Sequence, residues 1–222
     1  MTDQKMIKKT IKESLKPFAK ENNFSFTNPL LLTRHYDSVL HIINFDLPMQ
    51  GFNCNIAIQP LYVPADTINL SFGNRLNHFK AHLSGVWGYG DTKEEIVKDL
   101  DEVIKLLETN ALPWFQEAGN VQGIISLIKD GNVDNTNFII GFPPYLKSIY
   151  LGFSYLYIEK YELADSAFID VLNIFKDDNR AWVVELKGLI YSIRSLVKNN
   201  PDKVSEKLGQ FIKQTKVNNN LE

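Results

Sequence analysis

Residues 39–72, VLHIINFDLPMQGFNCNIAIQPLYVPADTINLSF, decide the fold. These 34 residues hold two formal charges, Asp46 and Asp66, and no Lys or Arg. The sequence on either side is rich in Lys, Glu and Asp. Within the stretch, Val39, His41, Ile43, Phe45 and Leu47 alternate with Leu40, Ile42, Asn44 and Asp46. After the break at residues 48–51, Phe52, Cys54, Ile56, Ile58 and Tyr62 alternate with Asn53, Asn55, Ala57, Gln59 and Leu61. Beyond Pro64, Ile68, Leu70 and Phe72 oppose Thr67, Asn69 and Ser71. A period of two with β-branched and aromatic residues specifies strands. The expectation is an antiparallel meander with one apolar face. Its other face is polar and uncharged. Open sheet faces and edges are normally guarded by charge, so either the C-terminal helices cover this face or a partner does.

Working outward, Ile7, Ile11, Leu15 and Phe18 recur at helical spacing over residues 5–22, opposite a face of lysines that reads as solvated. Pro17 removes one helical hydrogen bond and is expected to bend the last turn. Short strands follow at residues 24–26 and 30–36, with Asp37-Ser38 turning into the next. Residues 74–83 fit a strand or a helical turn. Gly85, Gly88 and Gly90 around Trp87 and Tyr89 read as a loop pinned by aromatics. Thr92 and Glu95 have the capping-box spacing ahead of a stripe of Ile96, Leu100, Val103 and Leu107. Pro113 opens a short helix, and residues 121–129 form another.

The strand signals stop at residues 131–144, where Gly, Asn and a Pro pair read as a linker. The expectation is therefore an α+β domain over residues 1–130 and a helical region over 145–216. That region holds helices at 145–159, 162–175 and 180–198. A fourth has Asn200 as cap and Pro201 as first residue. The tail from residue 217 is expected to be disordered.

Two resemblances add to this reading. IKKTIKESLKPFAKENNFSF (7–26), LLTRHYDSVLHIINFDLP (31–48), FNCNIAIQP (52–60), WGYGDTKEEI (87–96) and ALPWF (111–115), in that order, resemble the bacterial family called domain of unknown function 4304. The likeness covers about residues 5–130. Asn23-Phe24 stands where that pattern has Gly-Phe. The resemblance implies an α+β fold and no catalytic residues. The second is to a tetratricopeptide-like helical hairpin, whose pattern is W-x2-L-G-x2-Y, A-x3-F and P at a period of 34. Leu151, Gly152, Tyr155, Ala164 and Phe168 fall at its offsets, and Trp182 lies 34 residues after Ser148. Ser148 replaces the first Trp and Lys176 the terminal Pro, and the second repeat does not continue the pattern. Small Gly152 and Ala164 would let two helices approach closely while Tyr155 and Phe168 fill around them.

The net charge of −2 argues against nucleic-acid binding, and no window is long and apolar enough for a membrane span. One cysteine, Cys54, allows no internal disulfide and suits a reducing cytoplasm. The start of the chain lacks the apolar region of a signal peptide. The phosphate loop, the dinucleotide fingerprint, HExxH, GxSxG and paired CxxC are missing, so no cofactor or metal is expected. His78 and His82 sit at i, i+4 without a Glu or Cys at motif distance. His35 and His41 flank the Asp37-Ser38 turn, where they could lie near one another across the hairpin. Cys54, on an apolar strand face, reads as a small buried hydrophobe.

These features point to a cytoplasmic, non-enzymatic protein that binds another protein. By analogy, an immunity-type toxin inhibitor is one concrete form. Asn53, Asn55, Gln59, Trp87 and Tyr89 are the candidate partner-binding residues. The alternative is a small-molecule enzyme or hydrolase with a site near residues 73–91, using His78, His82 or Asp91. Homo-oligomerisation through the uncharged sheet face or the unfinished repeat is the third candidate.

Overall fold

The alternation over residues 39–60 becomes two long strands, because pleated backbone sends successive side chains to opposite faces. The computed structural model describes residues 4–49, 51–70, 72–79, 87–88, 92–129 and 143–221. Its sheet contains β1 (Ser25–Asn28), β2 (Leu31–Tyr36), β3 (Val39–Asp46), β4 (Gly51–Pro60) and β5 (Gly73–Arg75) in that spatial order. A two-residue strand, β6 (Trp87–Gly88), pairs with β4 as well. The β1–β2, β2–β3, β4–β5 and β4–β6 pairs are antiparallel. Asp37, in the left-handed region at φ 53°, makes the tight turn that pairs Tyr36 with Val39. The chain is α+β, with helices predominating after the sheet.

Residues 61–70 depart from the expected third strand. The alternation of Ile68, Leu70 and Phe72 is real, but Pro64 has no N–H for a ladder, and the chain runs irregularly until β5.

Helix α1 (Gln4–Glu21) buries Ile7, Ile11, Leu15 and Phe18, leaves its lysines exposed, and carries Pro17 inside it. It ends with Asn23 at φ 58°, with the Phe24 N–H bonded to the Ala19 carbonyl at 2.8 Å and the Phe24 ring stacked on Phe18. This is a Schellman stop, and asparagine is the side chain that best tolerates the left-handed position that glycine usually fills. Helix α2 (Lys93–Leu106) packs on α1 and starts at the Thr92–Glu95 capping box, whose two hydrogen bonds measure 3.2 and 3.1 Å. A π-helical turn (Leu107–Ala111) leads into α3 (Leu112–Ala118).

The chain divides into two compact units, and the division differs from the sequence expectation. Among the described residues, one unit comprises residues 4–59 and 68–120; the other comprises 60–67, 121–129 and 143–221. Helix α4 (Val121–Lys129), assigned by sequence to the first domain, packs its Val121, Ile124, Ile125 and Ile128 stripe within the helical unit, where it meets α5 (Pro144–Tyr157). The loop at 60–67 goes with it. Tyr62 stacks on Tyr157 at 4.8 Å and shares a 2.8 Å hydrogen bond with Ser154, and Asn218 donates to Asp66 at 3.1 Å. Most of the expected linker lies outside the described residues; Pro144 is already the first residue of α5.

The helical unit continues with α6 (Tyr161–Ile174), α7 (Ala181–Asn199) and α8 (Val204–Asn218). The tail expected to be disordered from residue 217 is ordered further. Val217 and Asn218 complete α8, and the Leu221 N–H bonds to the Lys216 carbonyl at 3.0 Å. Helices α5 and α6 form a hairpin that packs closely at Gly152. A Cβ there would lie 2.6 Å from the Phe168 ring. Overpacking of that kind costs about 1–3 kcal/mol. Gly152→Val should therefore lower the unfolding free energy by an amount in that range, read as a lower denaturant midpoint at unchanged m. An unchanged midpoint would mean that the hairpin is not this close in solution.

Candidate functional site

The polar residues of β4 are inside the protein. Asn53, Asn55 and Gln59 are 5%, 0% and 2% exposed. Asn55 donates to the Asp46 carboxylate at 2.6 Å, which also receives Asn44 at 2.9 Å. The Gln59 side-chain oxygen accepts the Asn69 N–H at 2.8 Å. Asn55 and Gln59 serve as internal hydrogen-bonding groups, which a buried strand tolerates where it does not tolerate charge, whereas the side-chain oxygens of Asn53 and Asn55 are buried with no hydrogen-bond partner among the described residues. These amides do not form a partner surface. Trp87 is likewise corrected. It is 7% exposed, stacks on Phe52 at 5.9 Å, and points its indole N–H toward Glu102 at 3.4 Å. Tyr89, His82 and Asp91 lie outside the described residues. Among the described residues, no group of three or more His, Cys, Asp and Glu side chains is placed to hold a metal ion, and no helix is long and apolar enough to cross a membrane.

The two hairpin histidines do not meet. His41 pairs with Arg34 and His35 with Leu40, so alternation puts the two rings on opposite faces. His41 is buried and tightly held. Its Nδ1 faces the Arg34 guanidinium at 2.9 and 3.2 Å, and its Nε2 lies 2.8 Å from the Gly119 carbonyl. Arginine only donates, so Nδ1 accepts and Nε2 carries the proton that it donates to Gly119. The ring stacks on Phe115 at 4.7 Å, and Arg34 also donates to the Asn22 carbonyl at 3.1 Å. A Cβ at position 119 would lie 2.2 Å from Nε2, so this approach requires glycine. The arrangement ties strand to helix end and leaves neither imidazole nitrogen open for chemistry. Cys54 is also closed off: it is buried, and burial with the Asp46 charge pushes its thiol pKa up.

The helical unit is different. Of the large apolar side chains exposed among the described residues, Leu163, Ile169 and Ile174 are on α6, and Trp182, Val184 and Tyr191 are on α7. Helix α7 buries Val183, Ile190 and Ile193. Val184, Gly188 and Tyr191, at i, i+4 and i+7, share its opposite side. Val184 is 54% and Tyr191 57% exposed, and a Cβ at Gly188 would meet nothing within 4 Å. Trp182 is 42% exposed and backed firmly. Phe175 meets it edge-on at 5.2 Å, and the Arg180 guanidinium lies 4.9 Å over its ring. The turn before α7 is fixed by Lys187, which donates to the carbonyls of Lys176 and Asp178 at 3.2 and 2.9 Å. A cation suits carbonyls just past a helix C-terminus. The sequence expectation put its candidate partner-binding residues on the sheet and reached this region only through the unfinished repeat, although α7 carries more apolar positions than one buried stripe uses.

No protein-family model, no curated protein and no solved structure matches this chain.

The His41 contacts set a pH dependence. Burial, aided by the Arg34 charge, holds its pKa down at about 4, against the opposing effect of the Gly119 hydrogen bond. Above pH ~6.5 His41 is neutral folded and unfolded, and it contributes no slope. Between pH ~6.5 and ~4 only the unfolded chain takes the proton, so stability falls by up to about 1.4 kcal/mol per pH unit, on the order of 3 kcal/mol in all. Denaturant unfolding of the wild type minus that of His41→Gln should show this loss. A difference that stays flat from pH 7 to 4 would contradict the buried neutral ring.

Proposed function

We propose that the chain is a cytoplasmic, non-enzymatic protein-binding protein whose docking surface is the outer side of α7 and its Trp182 end. The observation that carries this reading is the Val184–Gly188–Tyr191 strip, an apolar helix side that no described residue covers. Scattered single apolar residues are normal on a surface. Several on one helix side, around a glycine that leaves the backbone open, form a surface on which a partner's apolar helix could lie closely. Trp182, Arg180 and Tyr191 are residue types that dominate binding energy at interfaces, and Trp182 is already immobilised by Phe175 and Arg180. The buried His41 and Cys54 are held in structural roles, which favours binding over catalysis. An immunity-type inhibitor is one form of this function by analogy, and the partner it needs is an apolar protein surface.

The reading is tested with the double variant Val184→Asp, Tyr191→Asp, which places two charges on a solvent-facing side and should leave the melting temperature within a few degrees. Affinity capture from the source cell's extract should recover a stoichiometric partner with the wild type and lose it with the variant. Equal recovery by both chains, or recovery of no stoichiometric protein, would remove the proposal. Light scattering on the same samples separates a second copy of the chain from a different protein.

A further inference from the structure

Within the helical unit, a cavity of about 610 Å³ opens where the end of α5, the turn into α6 and the start of α8 converge. Its volume falls in the range of small-molecule sites. The floor is apolar, with Leu156 and Leu208 buried and Ile212 half-buried. The mouth carries two exposed carboxylates, Glu159 and Asp202, and the phenols Tyr157 and Tyr161. Among the described residues, no Lys, Arg or His lines it. Glu159, Asp202 and Tyr161 line the same cavity, and burial, with the two carboxylate charges, raises the pKa of the Tyr161 phenol.

The wall contains Gly209, in the middle of α8. A Cβ there would meet nothing within 4 Å, and its φ lies outside the left-handed region. Glycine weakens a helix interior relative to alanine. Neither packing nor backbone conformation requires it here, and its effect is to keep the wall recessed.

We propose that this cavity binds a protonated alkyl amine, with the ammonium held by Glu159 and Asp202 against the tyrosine rings and the alkyl chain running over Leu156 and Leu208. Carboxylates with aromatic faces select a cation, and an apolar floor selects a carbon chain behind it. An anion is repelled at the mouth, and a neutral chain uses only the floor. The same chemistry is presented by a free polyamine and by a lysine side chain.

The test is an NMR titration of the full ¹⁵N-labelled chain with n-hexylamine at neutral pH, and with 1-hexanol and hexanoate as controls. Hexylammonium should bind saturably and shift the amides of Leu156, Leu208 and Gly209. Hexanol and hexanoate should bind at least about tenfold more weakly, the effect of losing one charge-assisted contact. Glu159→Gln with Asp202→Asn should weaken hexylammonium by about tenfold or more without changing the melting temperature. Gly209→Leu should fill the cavity and abolish binding; the exposed double variant carries the test if that chain does not fold. Cadaverine and Nα-acetyl-lysine methylamide, compared directly, identify which source of the amine fits better. Absence of saturable hexylammonium binding, equal binding of hexanol, or an unchanged affinity in the double variant would overturn the proposal.

Discussion

Strand β4 is buried along all ten of its residues, and this constraint governs the first unit. A strand enclosed on both faces excludes charge, because an ion moved from water into the interior loses more than its contacts return. Amides are tolerated there when they are bonded. Asn55 reaches the Asp46 carboxylate on the neighbouring strand, and Gln59 holds the Asn69 backbone. The charge-free sequence, the alternation and the flanking strands β3, β5 and β6 follow from that one requirement.

Much of this was legible in the residues. The Thr92–Glu95 spacing, the Asp37-Ser38 turn and the Ile7–Ile11–Leu15–Phe18 stripe are local signals, and each forms as local chemistry dictates. Helices α5, α6 and α7 begin and end within about two residues of where the periodicity puts them, whereas the helix expected from Pro201 opens as a 3-10 turn at Pro201–Lys203 and becomes α-helical at Val204. What failed depended on distant contacts. The lack of charge at Asn53, Asn55 and Gln59 is equally a sign of an interface and of an interior, and only their partners decide it. Residues 121–129 show a clear apolar stripe, but a stripe does not say which core it joins. Ile68 and Leu70 alternate but fall in a segment that forms no strand among the described residues. Trp87 reads as a loop aromatic until its pairing with Phe52 is known.

The surface on α7 was hidden for the opposite reason. Apolar residues on a helix are expected to be inside, so Val184 and Tyr191 look like core until burial separates them from Val183 and Ile190. Gly188 and Gly209 carry related information. Neither is explained by a close neighbour, in contrast to Gly119 and Gly152, where a side chain would collide. Glycines that packing does not require mark the places where the helical unit leaves its backbone open.

Strand β4 is buried and the outer side of α7 is exposed, and we propose that α7 is the surface offered to a partner. Hydroxyl-radical footprinting of the chain, alone and in extract of its source cell, tests both halves together. Trp182 and Tyr191 should oxidise rapidly and Trp87 slowly in the chain alone, and the extract should protect Trp182 and Tyr191. Oxidation of Trp87 as fast as that of Trp182, or no protection of α7 in the extract, would contradict this.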